Sequence, residues 1–282
     1  MFGLKALLAL LLANDIAAKF VDLTYNINPD IMRWPGTLPY KSTVAYYGPV
    51  LGVPFVASNN FETTEHIGTH IDTPYHFAKN GRKLHEIPFA DLHGAAVVID
   101  IRNKTVDNRD YAITVEDLQA WETQHNQPIP HGAVIVMNSG WGAYWGNQSA
   151  FLGSNNTTML HFPGFGAPAV KWAIDNRNVK GFVTDAVSCD VGQATGFPAH
   201  QAVCDAGKWC VENAANVERI PATGSEIYAM PIKIENGTGA PIRLYAVWDH
   251  VNPWHVGDAG SMVVHSMISI LASLVAKYLF MT

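Results

Sequence analysis

The stretch His66-Ile-Gly-Thr-His70-Ile-Asp72-Thr-Pro74-Tyr-His76-Phe77 carries three imidazoles and one carboxylate. Even intervals separate all four groups. Side chains an even number of residues apart share one face of an extended strand, so we expect a single strand to present His66, His70, Asp72 and His76 together. The alternative is that His66 and His70 are an ordinary pair of surface or core histidines.

A helix fits this stretch poorly, because Gly68 and Pro74 both disfavour one. Imidazole with carboxylate is the ligand mixture that suits zinc, manganese or iron(II). Three such ligands leave a coordination position for a water molecule. The stretch therefore predicts a divalent metal site built from one strand edge.

The same stretch resembles the signature of the cyclase family, metal-dependent hydrolases that include bacterial kynurenine formamidases and isatin hydrolases. The family pattern is His-x-Gly-Thr-His-x-Asp-x-Pro-x-His-Phe, and the chain matches every fixed position. Further matching segments follow the family order: Val21-Asp22-Leu23-Thr24, Trp34-Pro35-Gly36, Gly181 to Asp190, His200, Glu212, and Gly239 to Arg243.

The resemblance implies a swivelling β/β/α fold of the α/β class, a mixed sheet with flanking helices, and assembly into homodimers or larger oligomers. It implies that His66, His70 and Asp72 bind the metal. His200 and Glu212 would complete the site from a distant segment. The metal would be zinc or manganese, as one ion or two.

The last histidine of the motif, His76, is the general acid–base group in this resemblance. An imidazole suits that role because its unperturbed pKa lies near neutrality. The alternatives for His76 are a further metal ligand or a hydrogen-bond donor beside the ligands. Trp34 matches the position that lines the aromatic ring of the substrate, and a buried core tryptophan is the competing interpretation.

Other residues near the matched segments have less specific roles. Trp141, Tyr144 and Trp145 are further candidates for aromatic contact with the substrate, in a loop that approaches the site. Asp185 and Asp190 match family positions, but aspartates at strand ends often cap turns. We therefore expect a structural role for both aspartates.

Composition favours a compact globular protein. Of the 282 residues, 48% are hydrophobic and 15% are charged, which argues against disorder. The formal charge of −6 comes without a basic stripe, so a nucleic-acid partner has no electrostatic support. We expect one hydrolase domain over residues 19–258.

Apolar runs alternate with helical segments in the middle of the chain. Residues 95–100, 133–137 and 181–184 are typical of strands buried on both faces. A helix is predicted after Thr114, which opens a capping box, and another over residues 168–176, which begin with a proline. This alternation indicates an α/β domain with a mixed sheet.

The two ends differ from this domain. Residues 1–18 carry Lys5, an apolar run and small residues, which is typical of a signal peptide; a buried N-terminal helix is the alternative. Residues 259–282 are apolar but interrupted by His265 and Lys277, so they make a poor transmembrane helix. We expect a packed C-terminal helix there, or an anchor signal that would be the protein's route to a membrane.

Five Asn-x-Ser/Thr sequons support a secreted or extracellular protein. Their asparagines are Asn103, Asn147, Asn155, Asn156 and Asn236. Three of them fall within residues 147–158, a stretch rich in Gly, Ser and Asn that reads as an exposed loop. We expect glycans on this loop.

The three cysteines are Cys189, Cys204 and Cys210, an odd number that excludes full pairing within the chain. Cys204 and Cys210 could form a bridge that holds the segment between His200 and Glu212 in an oxidising compartment. Three buried reduced thiols are an equal alternative.

Taken together, the residues and the resemblance predict a secreted metal-dependent amidohydrolase. Its reaction would open a C–N bond in an aryl formamide, similar to N-formylkynurenine, or in a cyclic amide, similar to isatin. The alternative is an extracellular metal-binding glycoprotein of the same fold with little or no turnover. Only the amidohydrolase requires an acid–base group such as His76.

Overall fold

The computed structural model describes residues 19–248 of the chain. Twelve strands lie within them: β1 (Lys19–Asp22), β2 (Lys41–Val50), β3 (Val53–Glu62), β4 (His70–Asp72), β5 (His93–Asp100), β6 (Ala112–Ile113), β7 (Val134–Asn138), β8 (Gly164–Phe165), β9 (Gly181–Thr184), β10 (Trp209–Glu212), β11 (Ser225–Pro231) and β12 (Gly239–Trp248). Six α-helices accompany them: α1 (Pro74–Phe77), α2 (Arg102–Asp107), α3 (Val115–His125), α4 (Gln148–Phe151), α5 (Ala167–Arg177) and α6 (Pro198–Asp205).

Eight strands form one mixed sheet in the order β1-β12-β11-β5-β7-β9-β10-β4. Strands β5, β7, β9 and β10 are parallel, whereas β4, β11 and β12 join antiparallel. Strand β4 pairs with both β10 and β12, so the sheet closes on itself. The expected α/β class, with a mixed sheet and flanking helices, is confirmed.

The parallel strands are the hydrophobic centre of the fold. Every residue of β7, β9 and β10 is buried, as expected of parallel strands covered on both faces. The predicted strands over residues 95–100, 133–137 and 181–184 correspond to β5, β7 and β9. Apolar residues from these strands pack against α3 and α5 in one continuous core.

Both predicted helices are confirmed. Thr114 caps α3, and its hydroxyl accepts the backbone N–H of Asp117 while the Asp117 carboxylate accepts the backbone N–H of Thr114. Helix α5 has its proline in the first turn, where a missing N–H costs nothing. Each helix ends at an asparagine in the left-handed conformation, Asn126 and Asn178 respectively.

The expectation that one strand carries the whole histidine-rich stretch is wrong. Strand β4 contains only His70 to Asp72. Gly68 before it adopts φ +56°, and a side chain there would strike Ile31. Pro74 after it starts helix α1, since a proline suits the first helical position. A turn and a helix, rather than strand alternation, therefore orient His66 and His76.

Strands β2 and β3 form a separate long hairpin. They pair antiparallel from Lys41 with Glu62 to Val50 with Val53. Most of their residues are exposed on both faces, including Tyr47 at 75% and Phe55 at 54%. The hairpin therefore presents apolar side chains to its surroundings.

All three cysteines are buried free thiols, so the bridge considered between Cys204 and Cys210 is absent from the described chain. Burial raises the pKa of Cys204 to about 12. The signal peptide predicted at 1–18 and the tail at 259–282 lie outside the described residues. Between residues 19 and 248, no helix has the length and apolar character needed to cross a membrane.

Candidate metal centre and active site

Two neighbouring strands bring the first three site residues together. His70 and Asp72 lie two residues apart on β4 and share a face, as the sequence predicted for this pair. Glu212 on β10 pairs directly with His70 in the antiparallel register. The Nε2 atom of His70 lies 3.3 Å from Oδ1 of Asp72 and 3.4 Å from Oε2 of Glu212.

Helix α6 delivers His200 to the same place. Its Nε2 atom lies 3.2 Å from Oδ2 of Asp72 and 3.0 Å from Oε1 of Glu212. Each carboxylate thus presents one oxygen to His70 and the other to His200. All four side chains are buried.

Asp190 orients the His200 imidazole. Its Oδ2 atom lies 2.6 Å from Nδ1 of His200, and its two oxygens also accept the backbone N–H groups of Ala199 and His200 in the first turn of α6. Because Nδ1 donates its proton to Asp190, Nε2 is the atom that faces Asp72 and Glu212. The sequence assigned Asp190 a structural role and missed this contact with the site.

His66 completes the cluster from the loop before β4. Its Nδ1 atom lies 2.7 Å from Oδ1 of Asp72, and its Nε2 atom lies 2.9 Å from the hydroxyl of Thr238. Asp72 therefore contacts three imidazoles at once. All five residues expected to bind metal converge: His66, His70, Asp72, His200 and Glu212.

The cluster matches the spacing that a metal requires. Ligand atoms about 2.0–2.2 Å from one ion in a tetrahedral array lie roughly 3.4 Å from each other. The contacts of His70 and His200 with the two carboxylates span 3.0–3.4 Å. Two sets of three residues have ligand atoms close enough to share one metal ion, and Asp72 belongs to both. The first set is His66, Asp72 and His76, and the second is His70, Asp72 and Glu212. The donor set therefore fits a divalent cation.

Electrostatics favour positive charge at this position. Burial alone would lower the pKa of His70, but the Asp72 and Glu212 carboxylates outweigh it and raise that pKa to about 9. Burial would raise the pKa of Asp72, whereas the surrounding imidazoles, His70 foremost, hold it well below its ordinary value. A proton or a metal ion has to lie between such facing groups.

His76 lies next to the cluster, with a ring nitrogen within 4.8 Å of ligand atoms of His66 and Asp72. Its ring stacks on that of His66, with centroids 4.1 Å apart. Burial lowers the pKa of His76, and the Asp72 carboxylate partly offsets this. A half-buried neutral imidazole at the edge of the carboxylate cluster can accept a proton at neutral pH.

A cavity of about 260 Å³ opens onto the cluster. Its walls are mainly apolar, and besides the site residues they include Met32, Trp34, Phe77, Phe151, Leu152, Val187 and Phe197. The indole of Trp34 contacts the Phe197 ring edge-on, at a centroid distance of 6.0 Å. Trp34 therefore lies where an aromatic group of a bound molecule would meet it.

The other aromatic candidates do not line this cavity. Trp141 is buried in the core, and its indole N–H donates to the carbonyl of Phe151. Trp145 stacks on Tyr25 at 3.6 Å. Tyr144 packs edge-on against Trp141 at the surface. Their loop instead places Phe151, in helix α4, in the cavity wall, which no residue pattern indicated.

Asp185 has the structural role that was expected. Its carboxylate is buried and accepts hydrogen bonds from the backbone of Ser139 and Trp141 and from the Ser139 hydroxyl. It thereby holds the turn that follows β7. Asn213, which follows Glu212, lines the cavity and was missed, because nothing in its local sequence distinguishes it.

Comparison with known proteins agrees with this architecture. The Cyclase family model matches residues 21–191, which is more than half of the chain. The chain is 32% identical to isatin hydrolase of Roseibium aggregatum over 204 residues, covering 69% of this chain and 76% of that protein. The chain belongs to the cyclase family of hydrolases.

Other members show the same relationship. Kynurenine formamidase of Bacillus mycoides is 31% identical over 238 residues, covering 80% of this chain and 96% of its own. Isatin hydrolase A from Ralstonia solanacearum superposes with a TM-score of 0.77 at 32% identity, over 87% of this chain and 97% of that structure. An isatin hydrolase bound to the product analogue thioisatinate gives the same TM-score at 28% identity, over 88% and 98%.

Proposed function

We propose that this cyclase-family hydrolase opens a C–N bond in an aryl formamide or a cyclic amide at the metal centre of His66, His70, Asp72, His200 and Glu212. One observation carries the proposal: three imidazoles and two buried carboxylates meet at metal-ligand spacing on the floor of an apolar cavity. Zinc or manganese, as one ion or two, suits this donor set.

A divalent metal, when bound, would lower the pKa of a water molecule and polarise the carbonyl group of the substrate. The chain's own residues provide the proton transfers. His76 lies next to His66, and burial keeps its imidazole neutral, so it can take a proton from the attacking water. It can then return that proton to the departing nitrogen, which needs a donor close by.

The cavity supports an aromatic substrate. Its volume of about 260 Å³ suits a small bicyclic or monoaryl molecule, and most of its wall is apolar. Trp34 and Phe197 offer ring faces and edges against which an aryl group can stack. The relatives named isatin hydrolase and kynurenine formamidase point to the same substrate classes.

The decisive test is a substrate panel. Purified protein reconstituted with zinc or manganese would be offered N-formylkynurenine, isatin and simple aryl esters, with metal-stripped protein as the control. Turnover of an amide that depends on added metal is the expected result. Metal binding without turnover of any substrate would instead favour the alternative of a metal-binding protein with little or no catalytic activity.

We further propose that the protein is secreted and glycosylated. All five sequon asparagines are exposed. The stretch 147–158 is not the continuous exposed loop that was expected, because helix α4 and the buried Phe151 and Leu152 lie within it, but Asn147 before the helix and Asn155 and Asn156 after it are exposed. Exposure is a requirement for glycan attachment. N-terminal sequencing and a glycosidase mobility shift, on protein from a eukaryotic host, test this; an intact Met1 and no shift would contradict it.

We also propose a homodimer, which the β2–β3 hairpin supports. A two-stranded hairpin without a covering layer is marginally stable in water. Its exposed Tyr47, Leu51 and Phe55 would be buried against a second copy. Sedimentation of the purified protein tests this proposal, and a monomer at micromolar concentration would contradict it.

A further inference from the structure

A chain of hydrogen bonds runs from His66 away from the metal centre. The Nε2 atom of His66 lies 2.9 Å from Oγ1 of Thr238. That oxygen lies 2.5 Å from Oε2 of Glu65, which also accepts the backbone N–H of Thr238 at 2.9 Å. On its other side, Nδ1 of His66 faces Asp72 at 2.7 Å.

The ring of His66 has one nitrogen at the metal centre and the other at this chain. Nδ1 faces Asp72 at 2.7 Å, so Nδ1 is the atom that His66 offers to a metal. A metal-bound Nδ1 carries no proton, which places the ring proton on Nε2. Nε2–H then donates to the Thr238 hydroxyl, and that hydroxyl donates its own proton to Glu65.

The imidazole of His66 is oriented differently from the other two histidines of the centre, because it turns Nδ1 rather than Nε2 toward the carboxylates. His70 holds its Nδ1 at 2.9 Å from the carbonyl of Gly68, and His200 holds its Nδ1 at 2.6 Å from Asp190. Both of these direct Nε2 toward the carboxylates. The ring of His66 reaches Asp72 through Nδ1 because its partner, Thr238, approaches from the opposite side, next to β12.

Two backbone features hold this arrangement. The carbonyl of Thr238 accepts both the backbone N–H and the hydroxyl of Thr73, the residue after β4. A side chain at Gly239 would come within 2.6 Å of Cε1 of His66, so glycine there lets the ring lie against the backbone. The position of the Thr238 hydroxyl relative to the ring is thus built into the β4–β12 junction.

We infer that Glu65 and Thr238 are positioning residues that select the tautomer and orientation in which His66 binds metal. Neither residue lines the cavity, and the hydrogen bonds between their side chains lead to His66. The inference rests on the metal centre of the proposed function and not on its substrate. It predicts that both residues control metal affinity.

The test measures metal binding by the full-length protein made in a bacterial host that attaches no N-glycans, because T238V also removes the sequon of Asn236. Metal-free protein would be titrated with Co²⁺, followed by its visible absorption, and with Zn²⁺ in competition with a chelator. T238V removes the hydroxyl and T238S keeps it. E65A removes the acceptor, which frees the hydroxyl proton to point at Nε2 of His66. T105V removes a half-buried threonine hydroxyl that bonds to Arg102 and Ser139, away from the site, and is the matched control.

We expect T238V and E65A to weaken metal binding about 10- to 100-fold, the usual effect of losing a partner of a ligating histidine. T238S and T105V should bind like the wild type, and the Co²⁺ spectrum should change in T238V but not in T238S. Wild-type affinity in both T238V and E65A would overturn the inference, as would a T238S protein as weak as T238V. If T238V does not fold, the metal affinities of E65A and T238S test the inference.

The outcome is separable from that of the hydrolase proposal. Wild-type protein that binds Co²⁺ but hydrolyses none of the substrate panel would overturn the proposed reaction and leave the comparison of metal affinities valid. Wild-type protein that binds no Co²⁺ would overturn both.

Discussion

His70 and Glu212 are paired across β4 and β10, and their side chains meet 3.4 Å apart. Residues directly opposite in an antiparallel pair point to the same face. This register joins the histidine-rich stretch to a carboxylate far along the chain. It also means that the metal centre depends on the closure of the sheet at β4.

Replacing His70 with alanine should remove metal and activity together. Its imidazole contacts both buried carboxylates, so its loss leaves the ligand set incomplete. Metal analysis by mass spectrometry and the substrate panel measure the two effects. His125, at the end of α3, offers a control substitution far from the site. Undiminished metal in H70A would contradict the assigned ligand set.

H76A separates catalysis from metal binding. If His76 transfers protons, the variant should keep its metal while kcat falls roughly 10²- to 10⁴-fold, the usual contribution of general acid–base catalysis. The acidic limb of the pH–rate profile should change with it. A variant that lost its metal would make His76 a ligand, and one with full activity would remove it from the mechanism.

Asp190→Asn should weaken metal binding, because an amide cannot accept the His200 Nδ1 proton as a carboxylate does. We expect a loss of about 10- to 100-fold in affinity. Asp185→Asn is the matched control, since Asp185 is an equally buried aspartate that only holds a turn. Equal metal affinities in the two variants would show that Asp190 is structural, as its sequence context first indicated.

Metal-free protein should lose stability as the pH rises from about 6.5 to 9. The folded-state pKa of His70 is raised to about 9, above its unfolded value near 6.5. Its contribution is therefore fully present below pH 6.5 and lost as the pH rises through 9, on the order of 3 kcal/mol. Thermal unfolding with a chelator present measures it, and H70A should show a shallower decline. A stability of the metal-free wild type that stays constant or increases over this pH range would contradict the prediction.

Trp34→Ala should raise KM for aryl substrates about 3- to 10-fold, since an aromatic contact contributes about 0.5–1.5 kcal/mol. Trp34→Phe keeps a ring and should lose less. Steady-state kinetics on the active substrate, with unfolding measured in parallel, distinguish the two interpretations of Trp34. A large loss of stability with unchanged KM would indicate a core residue.

The histidine motif, together with the family resemblance, predicted which five side chains come together. The motif, interpreted as one strand, predicted the wrong arrangement of these side chains. His66 and His76 reach the site by a glycine turn and a proline-started helix, and only His70 and Asp72 use strand alternation. Glycine and proline change the chain direction within one or two residues, and strand periodicity cannot account for that.

Local patterns also predicted the buried strands β5, β7 and β9 and the capped helix α3, because burial and capping produce recognisable patterns within a few neighbouring residues. Contacts between segments that are separated in sequence produce no such local pattern. Thr238 reaches His66 through the pairing of β4 with β12, Asp190 reaches His200 at the start of α6, and α4 places Phe151 in the cavity wall. Their roles follow from strand register and helix placement, which depend on the packing of the whole domain.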